Sequence, residues 1–280
     1  MPTDKRDRQR EGRQARQQYL QAQRRKARLR RQVVGLVVLV ALVLSISLLV
    51  TAGDGKKKAA DEDDKAQTLP TAKPVADETA ITGDTPCPPA DGSASPTYKF
   101  EKAPPLCIDP AKTYVAQLST TEGDIEITLD TQKTPKTANN FVVLSRYHYY
   151  DGTALFRTNT GIAIIQGGSP HTQDNSDPGP GYTIEDEGTG FQYTEGDFVM
   201  ARTQAPNSAS AQFFFAAGPE TGQLSQQGTY VTFGKVTKGT DVMKKILALH
   251  KDDPTLGAQG AGEGKPRKLV TIKTVEIVER

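Results

Sequence analysis

Chemistry in this chain of 280 residues has to come from few side chains, because it holds two cysteines, three histidines and no tryptophan. Cys87 and Cys107 bracket CPPADGSASPTYKFEKAPPLC, a stretch of 21 residues. They can bridge, which would stabilise the loop by ~3 kcal/mol in the chain-entropy view, or remain two free thiols. An oxidising compartment favours the bridge. Two cysteines do not complete a tetrahedral zinc shell, and His148, His171 and His250 are widely scattered, so no metal site is implied. Gly167-Gly-Ser-Pro-His171 sets a serine near a histidine, but a nucleophile elbow needs glycine where His171 stands. Gly260-Ala-Gly-Glu-Gly-Lys265 suggests a phosphate loop, yet Gln259 occupies the position of the first required glycine and Pro266 follows the lysine. It reads as a flexible loop before the last strand. No nucleophile or metal site is evident from these motifs.

The elements that would position such a reaction are unevenly spread. Residues 1–32 carry twelve Lys and Arg against three acids, a net of +9, whereas the whole chain is only +2, so residues 33–280 are net −7. A nucleic-acid binder keeps its basic residues on the folded part, interleaved with aromatics, and this chain does the opposite. From Val33 to Val50 no residue is charged. Eighteen such residues span roughly 27 Å as a helix, the thickness of a bilayer's hydrocarbon core. Arg24, Arg25, Lys26, Arg28, Arg30 and Arg31 outweigh Lys56, Lys57 and Lys58 across it, which places the N-terminus in the cytoplasm and the rest outside. A cleaved signal peptide ending at Val50-Thr51-Ala52 is the alternative, but the apolar run and the region before it exceed the usual lengths. The expected organisation is a basic cytoplasmic tail (1–32), a transmembrane helix (33–52), a flexible linker too poor in large apolar residues to form a core (53–86), a Cys-bracketed extension (87–111) and a folded domain (112–280).

Within that domain, Tyr114 to Ser119 and Gly123 to Leu129 alternate about Thr121-Glu-Gly123 and predict a hairpin. Thr134-Pro-Lys-Thr137 opens a helix, since Ala138, Phe141, Val142 and Leu144 recur at helical spacing and Pro135 sits where its missing N–H costs little. Short strands are expected at 153–157, 162–166, 198–202, 212–216 and 230–235, a second helix at 241–249 and a last strand at 270–278. Six or more short strands with two helices point to an antiparallel barrel rather than alternating parallel units.

Eight blocks then occur in a telling order: Thr134-Pro-Lys-Thr-Ala-Asn-Asn-Phe141, Tyr149-Tyr-Asp-Gly-Thr153, Phe156-Arg157, Ile165-Gln-Gly-Gly168, Gly179-Pro-Gly-Tyr182, Met200-Ala201, Gln212-Phe-Phe214 and Thr232-Phe-Gly234. Singly each is weak. Together they resemble the signature of the cyclophilins, the peptidyl-prolyl cis-trans isomerases, over residues 112–280. The resemblance implies a mainly β fold, an eight-stranded antiparallel barrel capped by two helices, with a binding groove on its outer face. It implies an enzyme that lowers the barrier to X-Pro rotation, with Arg157 as its catalytic arginine and Phe214, Ile164 and Leu224 as the proline pocket. Gln166 and Gln212 become polar positioners, Tyr230 a hydroxyl and a flat apolar face, and Ala201 a backbone contact. Arg202 stands where the family usually has asparagine, a peptide partner, and eight residues rather than seven separate Arg157 from Gln166, so the pocket's usual aromatic position falls on Ala163 or Ile162.

The partners implied are proline-containing segments of exported or envelope proteins, with no cofactor and no nucleic acid. The functional alternative is a cyclophilin-like module that binds such segments, or an envelope partner, without turnover.

Overall fold

The computed structural model describes residues 69–253, 256 and 262–280. The basic tail, the apolar stretch and the first part of the linker lie outside the described residues, and among the described residues no helix is long and apolar enough to cross a membrane.

The expected hairpin forms as β3 (Tyr114–Thr120) and β4 (Asp124–Leu129). Its turn is closed by Thr120 Oγ1, which donates to the Gly123 carbonyl at 2.5 Å. Gly123 itself takes φ +139°, where a side chain would also run into Val242. Six more strands extend this pair: β5 (Arg157–Asn159), β6 (Ile164–Gly167), β7 (Asp197–Met200), β8 (Phe213–Ala216), β9 (Thr232–Lys238) and, last in the chain, β12 (Ile272–Glu279). Their order across the sheet is β5-β6-β8-β7-β9-β4-β3-β12, with every neighbouring pair antiparallel. The ring closes because Ile272 N donates to the Thr153 carbonyl and Leu155 N to the Val270 carbonyl, at 2.8 and 2.9 Å. The eight-stranded barrel of the sequence reading is therefore present. Two short strands add to it: β10 (His250–Asp252) pairs with β11 (Glu263–Pro266), and β11 pairs with β5. The glycine-rich stretch read as a flexible loop thus ends in a strand, because its backbone completes the edge of β5.

Alternation also sorts the consecutive phenylalanines. Phe213 and Phe215 point inward and meet Phe198 at ring-centroid distances of 4.9 and 5.0 Å. Phe141, from helix α1 (Pro135–Arg146), joins them with its ring 5.1 Å from Phe198 and 4.9 Å from Tyr150. Phe214, one residue out of phase, faces the other side of the sheet. Helix α1 has no side-chain cap from Thr134 and no acid in its first turn. Its free Lys136 and Thr137 N–H groups are instead taken by the Glu187 carboxylate at 2.9 and 2.6 Å, which places a negative charge at the positive end of the helix. Helix α2 (Thr240–Leu247) covers the barrel with Met243 and Ile246.

The tether boundary at residue 86 requires correction. Residues 69–86 lie on the domain: Val75 N donates to Pro170 O, β1 (Ala80–Ile81) pairs in parallel with β2 (Lys99–Phe100), and Thr85 is buried. Composition overlooked that Val75 and Ile81 suffice to pack on a surface that already exists. Cys87 and Cys107 are bridged, with Cα atoms 5.4 Å apart, and the enclosed segment delivers Tyr98 and Phe100 to the core.

His148 clips this segment to the barrel. Its Nδ1 lies 2.8 Å from Asp151 Oδ2 and its Nε2 2.8 Å from the Gly92 carbonyl, two acceptors that both ring nitrogens satisfy only as an imidazolium. Partial burial works against that charge, but these hydrogen bonds outweigh it and raise the His148 pKa. A pKa raised on folding gives stability that is complete below the unfolded value of about 6.5 and is lost as pH rises through the folded value. The unfolding free energy from urea melts should therefore fall between about pH 6 and pH 9 by ~1 kcal/mol more in the parent chain than in His148→Gln.

Candidate active site

The site follows from strand register. Arg157 on β5 stands opposite Gln166 on β6, which stands opposite Phe214 on β8, which stands opposite Val199 on β7. Directly opposed residues share a face, so these four side chains form one row on the outside of the barrel. Asn159 and Ile164, each two residues along, share it. Over the row lies a groove of about 980 Å³. All nine residues expected to bind or act on substrate line it: Arg157, Ile164, Gln166, Ala201, Arg202, Gln212, Phe214, Leu224 and Tyr230.

At one end the groove is apolar. Ile164, Val199 and Phe214 are buried together with Tyr193, and Ile162, Ala201, Leu224 and Tyr230 pack around them. Leu224 comes from the 3₁₀ helix Pro219–Gln226. The Tyr230 ring meets Phe214 edge-on at 5.7 Å. Tyr193, which sequence reasoning missed, fixes Tyr230: its hydroxyl donates to the Tyr230 carbonyl and accepts from the Tyr230 N–H, each at 2.8 Å. Burial pushes the Tyr193 pKa up to about 12. The longer connection between Arg157 and Gln166 is absorbed in the turn between β5 and β6. There Ala163 adopts φ +47° and is buried, its carbonyl taken by Ala217 N and Thr221 Oγ1, so Ile162 rather than Ala163 fronts the pocket.

At the other end the groove is polar. Arg157 Nη1 donates to Gln166 Oε1 at 2.5 Å, while Nε and Nη2 donate to the two carboxylate oxygens of Glu263 at 2.8 and 2.5 Å. Of five guanidinium N–H bonds three are thereby committed, which leaves one on each terminal nitrogen. Arginine only donates, so Gln166 must present its oxygen there; its Nε2 donates to Gln212 Oε1 at 2.9 Å and Asn175 Oδ1 at 3.1 Å. Burial alone would raise the Glu263 pKa, but hydrogen bonds from Arg157 and Asn159 and the charge of Arg157 hold it below the ordinary carboxylate value.

Arg202 differs from its expected role. Its guanidinium bonds the Thr229 carbonyl at 3.0 Å and the Ala205 carbonyl at 2.8 Å, and its side chain is only 9% exposed, so it ties loops together at the rim. Ala201 spends its N–H on the Gln212 carbonyl and has only its own carbonyl to offer a ligand.

An outward row of arginine, glutamine and phenylalanine on a closed antiparallel barrel is now joined by an independent match: residues 115–277 fit the family model for cyclophilin-type peptidyl-prolyl cis-trans isomerase/CLD. The chain belongs to the cyclophilin family. It is 33% identical over 167 residues to peptidyl-prolyl cis-trans isomerase B of Escherichia coli, covering 57% of this chain and 97% of that protein. A probable peptidyl-prolyl cis-trans isomerase B of Mycobacterium tuberculosis is 30% identical over 227 residues, 75% of this chain and 68% of that one. Among solved structures, a Cryptosporidium parvum cyclophilin-type isomerase crystallised in the presence of the dipeptide Ala-Pro matches with a TM-score of 0.51 and 28% identity, over 59% of this chain and 99% of that one.

In this cyclophilin, sequence reasoning missed Glu263, Asn159, Asn175 and Tyr193. Asn159 lies two residues after Arg157, but the strand expected at 153–157 stopped short of it, and only the observed β5 puts the two on one face. Glu263 carried no signal, being 106 residues from its partner in a glycine-rich stretch.

Proposed function

We propose that this cyclophilin accelerates X-Pro isomerisation in exported proteins at the outer face of a membrane, to which residues 33–52 anchor it. An X-Pro bond turns over a barrier of ~18–20 kcal/mol because the amide nitrogen shares its lone pair with the carbonyl. A proline ring seated on Phe214, Ile164 and Leu224 brings that nitrogen within reach of the two uncommitted N–H groups of Arg157. Donation to the lone pair as the amide twists weakens the conjugation and stabilises the transition state more than either planar form. The observation that carries the reading is the adjacency of a fully oriented guanidinium to a small apolar cluster on one face. The relative crystallised with Ala-Pro supports the ligand class. The Cys87–Cys107 bridge and the basic residues before Val33 support the outward placement.

Protease added to intact cells stripped of their wall tests the placement. Digestion of the C-terminal domain with protection of a tag ahead of Met1 is the expected pattern. The reverse pattern would invert the orientation, and recovery of the whole domain in the medium would mean that the apolar stretch is a cleaved signal.

A further inference from the structure

Glu263 grips Arg157 as a fork. Its two oxygens meet Nε and Nη2 of one guanidinium edge, and Oε1 is further held by Asn159 Nδ2 at 2.7 Å. The Glu263 side chain is only 4% exposed. A single hydrogen bond, such as that from Arg157 to Gln166, leaves a guanidinium free to swing about its end, whereas a two-point contact in one plane does not. The same contact sets a negative charge against the cation that the reaction uses, so what the groove gains is direction rather than net charge.

The backbone around Glu263 is built to hold it there. Residue 263 pairs with Asn159 across β5, and its carbonyl accepts Asp253 N at 3.2 Å on the other side. The next residue, Gly264, lies so close to the Lys251 carbonyl and the His250 ring that no side chain fits. The neighbouring charges have other partners: His250 bonds Thr158 and Asp252, and Lys265 pairs with Asp253. Arg157 is thus the cation that Glu263 serves.

We propose that Glu263 is the positioning residue of this groove, fixing the plane of the Arg157 guanidinium so that its two unshared N–H groups face the proline nitrogen, and acting on turnover through Arg157 alone. The inference rests on the reading of Arg157 as the catalytic cation. It adds a function for β11, which lies outside the eight strands of the ring.

A double-mutant cycle in the full chain, assayed on an Ala-Pro peptide, tests it. Glu263→Gln keeps the volume and one acceptor but loses the fork; kcat should fall about tenfold while KM stays within about twofold. In the Arg157→Ala background the same replacement should change the residual rate less than about twofold, because nothing remains to be positioned. If Glu263→Gln does not fold, Glu263→Asp, which keeps the charge but shortens the reach, carries the same comparison with an expected fall of about threefold or more. Wild-type kcat in these variants, or an equal loss with and without Arg157, would overturn the proposal while leaving Arg157 intact as the catalyst. Full activity in Arg157→Ala alone would instead bring down the reading of Arg157, and this proposal with it.

Discussion

Arg157→Ala is expected to lower kcat/KM about 100-fold or more, the usual cost of deleting one preorganised donor to a transition state, ~2.7 kcal/mol. Stability should fall as well. The replacement strands the Glu263 carboxylate, buried and bonded to both Nε and Nη2, and leaves Gln166 Oε1 without its donor. Removing one partner of such a pair typically costs ~3–5 kcal/mol, more than leaving both in place ever contributes. Arg157→Lys should restore little of the activity, because an ammonium cannot meet the Glu263 fork in plane and still present N–H groups to the groove. Steady-state kinetics on X-Pro peptides and thermal melts of the same preparations check both effects. A fall in melting temperature with unchanged kcat/KM would make Arg157 a structural residue only.

The second large effect concerns the extension. Reduction of Cys87–Cys107, or the paired Cys87→Ala and Cys107→Ala replacement, should cost ~3 kcal/mol of unfolding free energy, because the bridge removes conformations from a loop with a sequence separation of 20. Part of the extension should stay in place without it. Asn139 Oδ1 accepts Cys107 N at 2.7 Å and Asn139 Nδ2 donates to Pro105 O at 2.9 Å, while Tyr98 and Phe100 remain in the core. Catalysis should hold within about twofold, since neither cysteine lines the groove. Urea midpoints with and without reductant read the first quantity, and an isomerase assay on the reduced, folded protein reads the second.

What could be read in advance divides along physical lines. Alternation is local, so β3 and β4 emerge from Tyr114 to Leu129 within a residue, and helix α1 emerges from the spacing of Ala138, Phe141 and Leu144. The outward row was legible through motif order, and Ile164, Gln166 and Phe214 reach the groove as the resemblance implies. Long-range pairing was not legible. Thr153 to Leu155 was expected to lead a strand, yet β5 begins only at Arg157, because the earlier residues spend their hydrogen bonds closing the ring against Val270 and Ile272. The collar at residues 69–86 fails a composition test for the same reason: two apolar side chains cannot make a core, but they can join one. The surroundings of Arg202 were not legible either: its motif position is that of a peptide partner, and the Thr229 and Ala205 carbonyls that hold its guanidinium at the rim come from loops whose approach no local pattern announces.

The central claim is turnover of X-Pro bonds at Arg157. Exchange NMR of an Ala-Pro peptide, with a catalytic amount of the full chain in detergent micelles, measures it most directly. Cis–trans cross-peaks growing in well under a second are expected, against tens of seconds or longer without the protein. Peptide resonances that shift or broaden on binding while exchange stays at the uncatalysed rate would contradict it, and would leave the groove as a binding site for proline-containing segments.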